Sequence, residues 1–424
     1  MTNKLKIVND PVHGFINIPS ELVFDIFSHP YFQRLRRIKQ LGLTEFVYPG
    51  AVHTRFHHAL GVMHLTHLAV EILRQKNIEI TEAEHEGVIL AALLHDIGHG
   101  PFSHALEYSI LQGVSHEWLS HQFIQNLNQQ FEQRLTVAQK IFNNTYKKTF
   151  LHQLISSQLD TDRLDYLKRD AYFTGVQEGN IGAGRILKML TVSQQKLVVE
   201  EKAIYSIEHF LSARRLMYWQ VYMHKTTVAT EQMLIQLIKR AKFLQQNNTN
   251  LLASAALKTF LNENKTREDF ATTPDLLATF AQLDDYDIWF SIKSWQEQPD
   301  KVLTFLANSF TNRQPFRIHI SDEPFSPEII EKIEQETCKA MQISKQEAAF
   351  LVTTGELTNS AYISGKNNIE ILTKSGEIID VAQASDLPNI KAMSQVVRKY
   401  FLCYPKFLPA FFQKKGNNGL FTQI

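Results

Sequence analysis

Eleven of the seventeen histidines fall between His53 and His121. Within that span LHDIGHGPFSH, Leu94 to His104, sets the pair His95-Asp96 just ahead of His99 and His104. Burying an imidazole and carboxylate cluster costs on the order of several kcal/mol unless a metal or a proton compensates. Neutral imidazole and carboxylate suit borderline and hard divalent ions, and no thiolate stands among them. The implied chemistry is metal-assisted hydrolysis. His58 joins His95 and Asp96 as a candidate ligand, and a further carboxylate is expected from SSQLDTDRLDYLKRD, Ser156 to Asp170. On a helix Asp162, Tyr166 and Arg169 or Asp170 share one side, while Asp165 follows another stripe with Arg169. His53, His64, His67, His85 and His121 are expected to satisfy local hydrogen bonds only, and His57 stays open.

Helices must position these groups. Ser20 can cap one that carries Leu22, Val23, Ile26 and Phe27 and ends near Pro30. A second runs from about Thr54 to Leu73 with His58 near its start. Glu86 to His95 reads as a helix apolar on nearly every side, hence deep in the core, with His95 at its end. Gly98, Gly100 and Pro101 turn the chain so that His99 and His104 fold back. Ser115 caps the next helix. An exposed helix is expected over about Gln125 to Lys148, then helix from His152 to Ala171 and from Ile207 to about Gln246. The polar run Gln245 to Asn250 is the expected boundary between a first domain, 1–245, and a second lobe, 251–424. That lobe alternates in strand fashion at Arg317 to Ile320 and at Phe350 to Val352. It also carries a hairpin turning at Ser375-Gly376 and a last helix near Asn389 to Phe401. The fold class read from this pattern is mainly α with a smaller C-terminal α+β lobe.

Composition narrows the function. Lys and Arg total 44 against 43 Asp and Glu, a net charge of +1, so the overall charge gives no basic footprint for nucleic acid, and such a surface would have to come from local clustering. Two cysteines, Cys338 and Cys403, without CxxC spacing, fit a reducing cytoplasm and argue against a disulfide framework. No apolar run approaches a membrane span, and the N-terminus lacks a signal-peptide core.

Four segments in order, RFHHALG (Arg55 to Gly61), LLHDIGHGPFSH (Leu93 to His104), SHEW (Ser115 to Trp118) and DTDRLDYLKRD (Asp160 to Asp170), resemble the successive motifs of HD-domain deoxynucleoside triphosphate triphosphohydrolases. KIVNDPVHGFI and QRLRRIKQLG are also similar to the animal members that carry a SAM module and to their bacterial relatives. The resemblance covers roughly the first 235 residues. With HD-type motifs beginning almost at Met1, no SAM module is expected ahead of them.

That resemblance implies a helical HD-domain core in which His58, His95, Asp96 and Asp162 hold one divalent ion. Mn, Fe, Mg, Zn and Ni are not distinguished. It places His104 and His116, with Glu107, at proton-transfer and phosphate-facing positions, and His99 at that of a further active-site histidine. Arg55, Arg163 and Arg214 fall at phosphate-facing positions, although the family often has Lys at Arg163, and Lys225 is a further cation. Gln40, Leu41, Tyr166 and Asp170 match the residues that crowd the deoxyribose, and Tyr222 the aromatic near the base. The competing account is surface ion pairing for the arginines and core packing for Leu41 and Tyr222. Lys6, Asn9, Gln33 and Arg36 match an effector site, but Ser28 stands where the family has the guanine-reading aspartate, so guanine-specific activation is not expected. The substrate class implied is a deoxynucleoside triphosphate, split into deoxynucleoside and tripolyphosphate, in a homo-oligomer, dimer or tetramer. Two alternatives stay open: an HD-type phosphohydrolase for a nucleoside monophosphate, cyclic dinucleotide or alarmone, and a nucleotide-binding assembly with a vestigial site.

Overall fold

In the computed structural model, which describes residues 6–359, 362, 365, 368–386, 396–415 and 420–423, the chain opens with an antiparallel hairpin. Its strands are β1 (Lys6–Asp10) and β2 (Gly14–Ile18). Ser20 caps α1 (Glu21–Ser28), its hydroxyl accepting the Val23 N–H at 3.2 Å, and Leu22, Val23 and Ile26 turn inward. Two helices that pack on each other follow, α2 (Arg55–Gln75) and α3 (Glu82–Leu94). Val88 to Leu94 is buried on every side, which explains why its sequence carries no polar stripe. Ser115 caps α4 (His116–Gln130), and the Asp160 carboxylate caps α5 (Thr161–Thr174).

Three expected helices are interrupted. The stretch 125–148 is broken after Gln130, where Glu132 and Gln133 take positive φ and Leu135 turns into the core before a short helix resumes at Thr136. The stretch 152–171 is cut because the Asp160 carboxylate takes the N–H groups of Ser157 and Arg163, each at 2.7 Å, and so starts a new helix. The stretch 207–246 divides into α6 (Ile204–Met217), a wide π turn over Tyr218–Tyr222, and α7 (Lys225–Gln246) capped by His224. Such wide turns occur preferentially at functional sites.

The C-terminal part adds α8 (Asp285–Ser294), α9 (Lys301–Thr311), α10 (Pro327–Met341) and strands of two small sheets, one of which begins in the first part. One sheet runs in the order β3 (Leu190–Ser193), β4 (Lys196–Glu200), β7 (Glu370–Leu372), β8 (Ile378–Asp380). β7 and β8 form the expected hairpin, pairing Ile371 with Ile379, and Gly376 supplies φ +87° in its turn. The other sheet is antiparallel in the order β5 (Arg317–Ser321), β9 (Val397–Tyr404), β6 (Thr353–Asn359). β9 corrects the helix expected near Asn389 to Phe401. Its run of β-branched and aromatic residues pairs on both edges and stops at Pro405; residues 389–395 lie outside the described ones. The strand expected at Phe350 to Val352 begins instead at Thr353. One apolar core extends from Ile16 to Cys403, and a smaller cluster under α10 joins Ile329 and Ile333 to Leu402 and Tyr404. The molecule is mainly α, an HD-type helical core with a smaller α+β lobe.

Candidate metal centre and substrate cleft

Three helix segments converge on one point. His58 projects from the first turns of α2, His95 stands at the C-terminal end of α3, and Asp162 lies in the first turn of α5. His58 Nε2 is 3.0 Å and His95 Nε2 3.7 Å from Asp162 Oδ1. Asp96 completes the group, 3.4 Å from His95 Nε2 and 3.8 Å from His58 Nε2. All four expected ligands are thus brought together, with Asp96 also ion-paired to Arg55.

The donor set fits a divalent cation. His95 Nδ1 donates to the Ala92 carbonyl at 2.8 Å and His58 Nδ1 to Asp165 Oδ2 at 2.8 Å. Because both partners can only accept, Nδ1 keeps its proton in each ring and Nε2 is the atom turned to the centre, free to ligate an ion there, the arrangement found behind metal-ligating histidines. Both Nε2 atoms are buried without a hydrogen bond of normal geometry. Burial pushes the His58 imidazole down, but Asp162 and Asp165 outweigh it and raise it to about 10. Burial likewise opposes ionisation of Asp162, yet His58 and His95 hold its carboxyl below the usual range. The pocket therefore demands positive charge.

Behind His58 lies a support that the sequence reading missed. Asp165 receives His13 Nε2 at 2.7 Å and Arg169 Nε at 2.8 Å, while Arg169 Nη1 reaches Asp10 Oδ2 at 2.8 Å. His13 belongs to the turn between β1 and β2, so the N-terminal hairpin is tied to the ring that faces the centre. Asp165 can approach because Gly61 leaves room: a Cβ there would sit 1.8 Å from Asp165 Oδ1.

On the other side His99 Nε2 lies 3.5 Å from Asp96 Oδ1 and its ring stacks on His116 at 3.8 Å. Glu107 accepts both the backbone N–H and Nδ1–H of His116, at 2.8 and 2.9 Å, fixing that ring. Burial and the nearby Arg55 hold His99 well below the usual imidazole range. The His104 side chain lies outside the described residues. The turn that carries these groups is tight. Phe102 and Ser103 both take φ +52°, and a Cβ at Gly98 would sit 2.2 Å from the His116 carbonyl. Asp285 of α8, not foreseen, accepts the N–H groups of Phe102 and Lys39 at 2.7 and 2.9 Å. One buried carboxylate thereby holds this turn beside the Gln40-Leu41 loop.

A cleft of about 1110 Å³, counting its open mouth, begins at Asp162. Gln40, Leu41, Arg55, Arg163, Tyr166, Asp170 and Tyr222 line it together. Asp170 accepts from the Tyr222 hydroxyl at 2.7 Å and holds His53 Nε2 at 2.8 Å. Arg163 Nη1 pairs with Asp160 at 2.5 Å. Arg214 is buried on α6, its guanidinium 6.0 Å from the Tyr218 ring and near enough to Tyr166 to act on it electrostatically, and Lys225 is exposed. Among the lining residues that went unrecognised in the sequence are Tyr218, on the wide turn, and Glu231, whose carboxyl burial pushes up to about 7. Their signal is only that the wide turn and α7 point at the cleft. Away from this site, Arg36 stacks 3.6 Å over Phe56 and donates to Gln33 Oε1 at 2.8 Å, while Lys6 sits over Phe24. Phe27 joins the two rings, 6.1 Å from Phe24 and 5.4 Å from Phe56. Asn9 lies on β1, and no polar link from it to these cations is present among the described residues.

Comparison with known proteins agrees with this architecture. Residues 55–170 match the HD domain and residues 181–273 the HD associated region. The chain is 31% identical to the Bacillus subtilis protein YwfO, over 95% of this chain and 93% of that one. It is 32% identical to a Dictyostelium discoideum deoxynucleoside triphosphate triphosphohydrolase SAMHD1 homolog, over 54% of this chain and 48% of that protein. The crystal structure of a phosphohydrolase from Bacteroides thetaiotaomicron superposes with TM-score 0.92 at 49% identity, covering 95% of this chain and all of that one.

Proposed function

The chain belongs to the HD-domain phosphohydrolase family, and on that premise we propose that it hydrolyses deoxynucleoside triphosphates to deoxynucleoside and tripolyphosphate. The observation that carries the reading is that Asp162 is shared. It belongs to the cluster with His58 and His95, and it also forms the inner wall of a cleft lined by Gln40, Tyr166, Asp170 and Tyr222. A phosphate next to the cluster would leave its sugar and base in that cleft.

His58, His95, Asp96 and Asp162 would hold a divalent ion, which would supply Lewis acidity there. Arg55 and Arg163 offset charge on the phosphates from the cleft wall. Tyr166 and the Gln40-Leu41 pair close on the sugar and leave no room for a 2′-hydroxyl. Attack of water at the α-phosphorus breaks the bond to the 5′-oxygen, which takes up a proton as the deoxynucleoside leaves. His99, His104 and His116, with Glu107 fixing the His116 ring, are the groups placed to take the proton from the attacking water and to return one to the leaving 5′-oxygen. Arg214, which acts electrostatically on Tyr166 of the cleft wall, is a further phosphate-facing cation in this account. Lys6, Asn9, Gln33 and Arg36 are carried as a second site for a nucleotide effector, in a homo-oligomer. Among the described residues no helix is long and apolar enough to cross a membrane.

Ion-exchange product analysis tests the reading, with each deoxynucleoside triphosphate supplied singly and mixed in the presence of manganese. Deoxynucleoside plus tripolyphosphate is the expected outcome, and turnover only in mixtures would reveal the effector site. Pyrophosphate or orthophosphate as the sole phosphate product would refute it in favour of another phosphoester.

A further inference from the structure

We propose that His67, Glu71 and His85 form a second metal site, for a zinc-class divalent ion, that staples α2 to α3 at a distance from the hydrolytic centre. His67 and Glu71 are one turn apart on α2, and His85 faces them from α3. One donor atom from each lies within 4.8 Å of the others. His67 Nδ1 and His85 Nε2 are 3.0 Å apart, and the rings lie nearly parallel, inclined by 13°. Two nitrogens bound tetrahedrally at ordinary zinc distances stand about 3.3 Å apart, so an ion takes the place of the shared proton with little movement, as His67 shifts to the tautomer that carries its proton on Nε2.

The surroundings suit this use. Glu82 Oε2 lies 3.8 Å from His85 Nδ1. A proton drawn to that nitrogen leaves the His85 Nε2 lone pair facing His67. Burial, then the nearby His67 and Arg74, keep the His85 imidazole below its ordinary value, hence neutral and able to ligate. Arg74 competes for the carboxylates, with Nη1 3.5 Å from Glu71 Oε1 and Nη2 3.0 Å from Glu82 Oε1. It engages one oxygen of each, and Glu71 keeps a second oxygen for the ion. Glu71 is 44% exposed, so solvent ions can enter. His67 is nine residues beyond His58 on the same helix, about 14 Å along its axis, which separates this site from the centre described above. The two stapled helices are the ones that deliver His58 and His95, so the ion would favour the folded arrangement of both.

The test is zinc and cobalt titration of the full chain after chelator stripping, with metal counted per chain and the melting temperature followed. Wild type is expected to bind two ions. His85→Gln should bind one fewer, lose the zinc-induced rise in melting temperature, and keep its manganese-dependent hydrolysis. Asp162→Asn should retain the staple ion. Should His85→Gln fail to fold, Glu71→Gln at the exposed edge provides the readout, with zinc binding at this site at least about tenfold weaker. The proposal is overturned if a folded variant binds as many zinc ions as wild type, with affinities within twofold, or shows the same zinc-induced rise.

Discussion

Asp162 serves both the ion and the cleft, so substitutions around it should separate those roles. Asp162→Asn removes a full negative charge from between His58 and His95, and is expected to lose the centre's manganese and hydrolysis together. Tyr166→Ala, on the cleft wall, should keep the ion and relax discrimination against ribonucleotides. Metal analysis beside competition assays on the two variants checks both, and a fully metallated, fully active Asp162→Asn protein would sink the ligand assignment. Glu231 gives a pH signature. Its carboxyl, raised to about 7 by burial, is mostly neutral below that pH and charged above it. The charge opposes an anionic substrate in the cleft by on the order of 1 kcal/mol. KM should therefore climb about fivefold between pH 6 and 8, and Glu231→Gln should flatten that rise; an unchanged profile in the variant would exclude Glu231.

At the scale of elements, the site depends on how closely helices approach. α5 lies against α2 because position 61 has no side chain, and Asp165 fills that space while holding His58. Gly61→Ala forces the Asp165 and Arg169 side chains to move. It should cost about 1–3 kcal/mol or more in denaturant unfolding and lower manganese affinity at the same time. Stability loss with unaltered affinity would mean that Asp165 does not position the ring. Little of this was legible in the sequence. Asp162 could be picked out from its motif, whereas Asp165, three residues on, follows another stripe of the helix. Its pairing with Arg169 follows from the i, i+4 spacing of that stripe, but packing alone joins it to His13 and His58. The helix breaks at Gln130 and Asp160 were also hidden, since a capping carboxylate or a residue turning inward leaves the local apolar spacing almost unchanged.

For the molecule as a whole, the ion should act as a folding ligand as well as a cofactor, because its ligands come from three separate helix segments. Chelation is expected to abolish hydrolysis and lower the melting temperature, and manganese to restore both. At a free concentration a hundred times its dissociation constant, the ion stabilises by about 2.7 kcal/mol. Calorimetry with and without chelator measures this, and an unchanged melting temperature would mean that the ligands are preset by packing alone. Packing does much of that work through distant residues. Asp285, far down the chain, fixes the turn at Phe102 and the loop at Lys39, so the C-terminal elements shape the cleft without lining it.

The sequence by itself determined the ligand types and the helices that carry them, because imidazole and carboxylate spacing and apolar periodicity are local properties. It also determined the mainly α class and the hairpin at Gly376. Tertiary structure alone decided that Asp96 and Asp162 meet the same two imidazoles, that Asp165 and Ala92 orient those rings, and that Glu231 and Tyr218 face the cleft. It also set His67 beside His85, a pair the sequence left as ordinary histidines. Each of those outcomes depends on distances between segments far apart in the chain, which burial and helix packing fix and which no local pattern records.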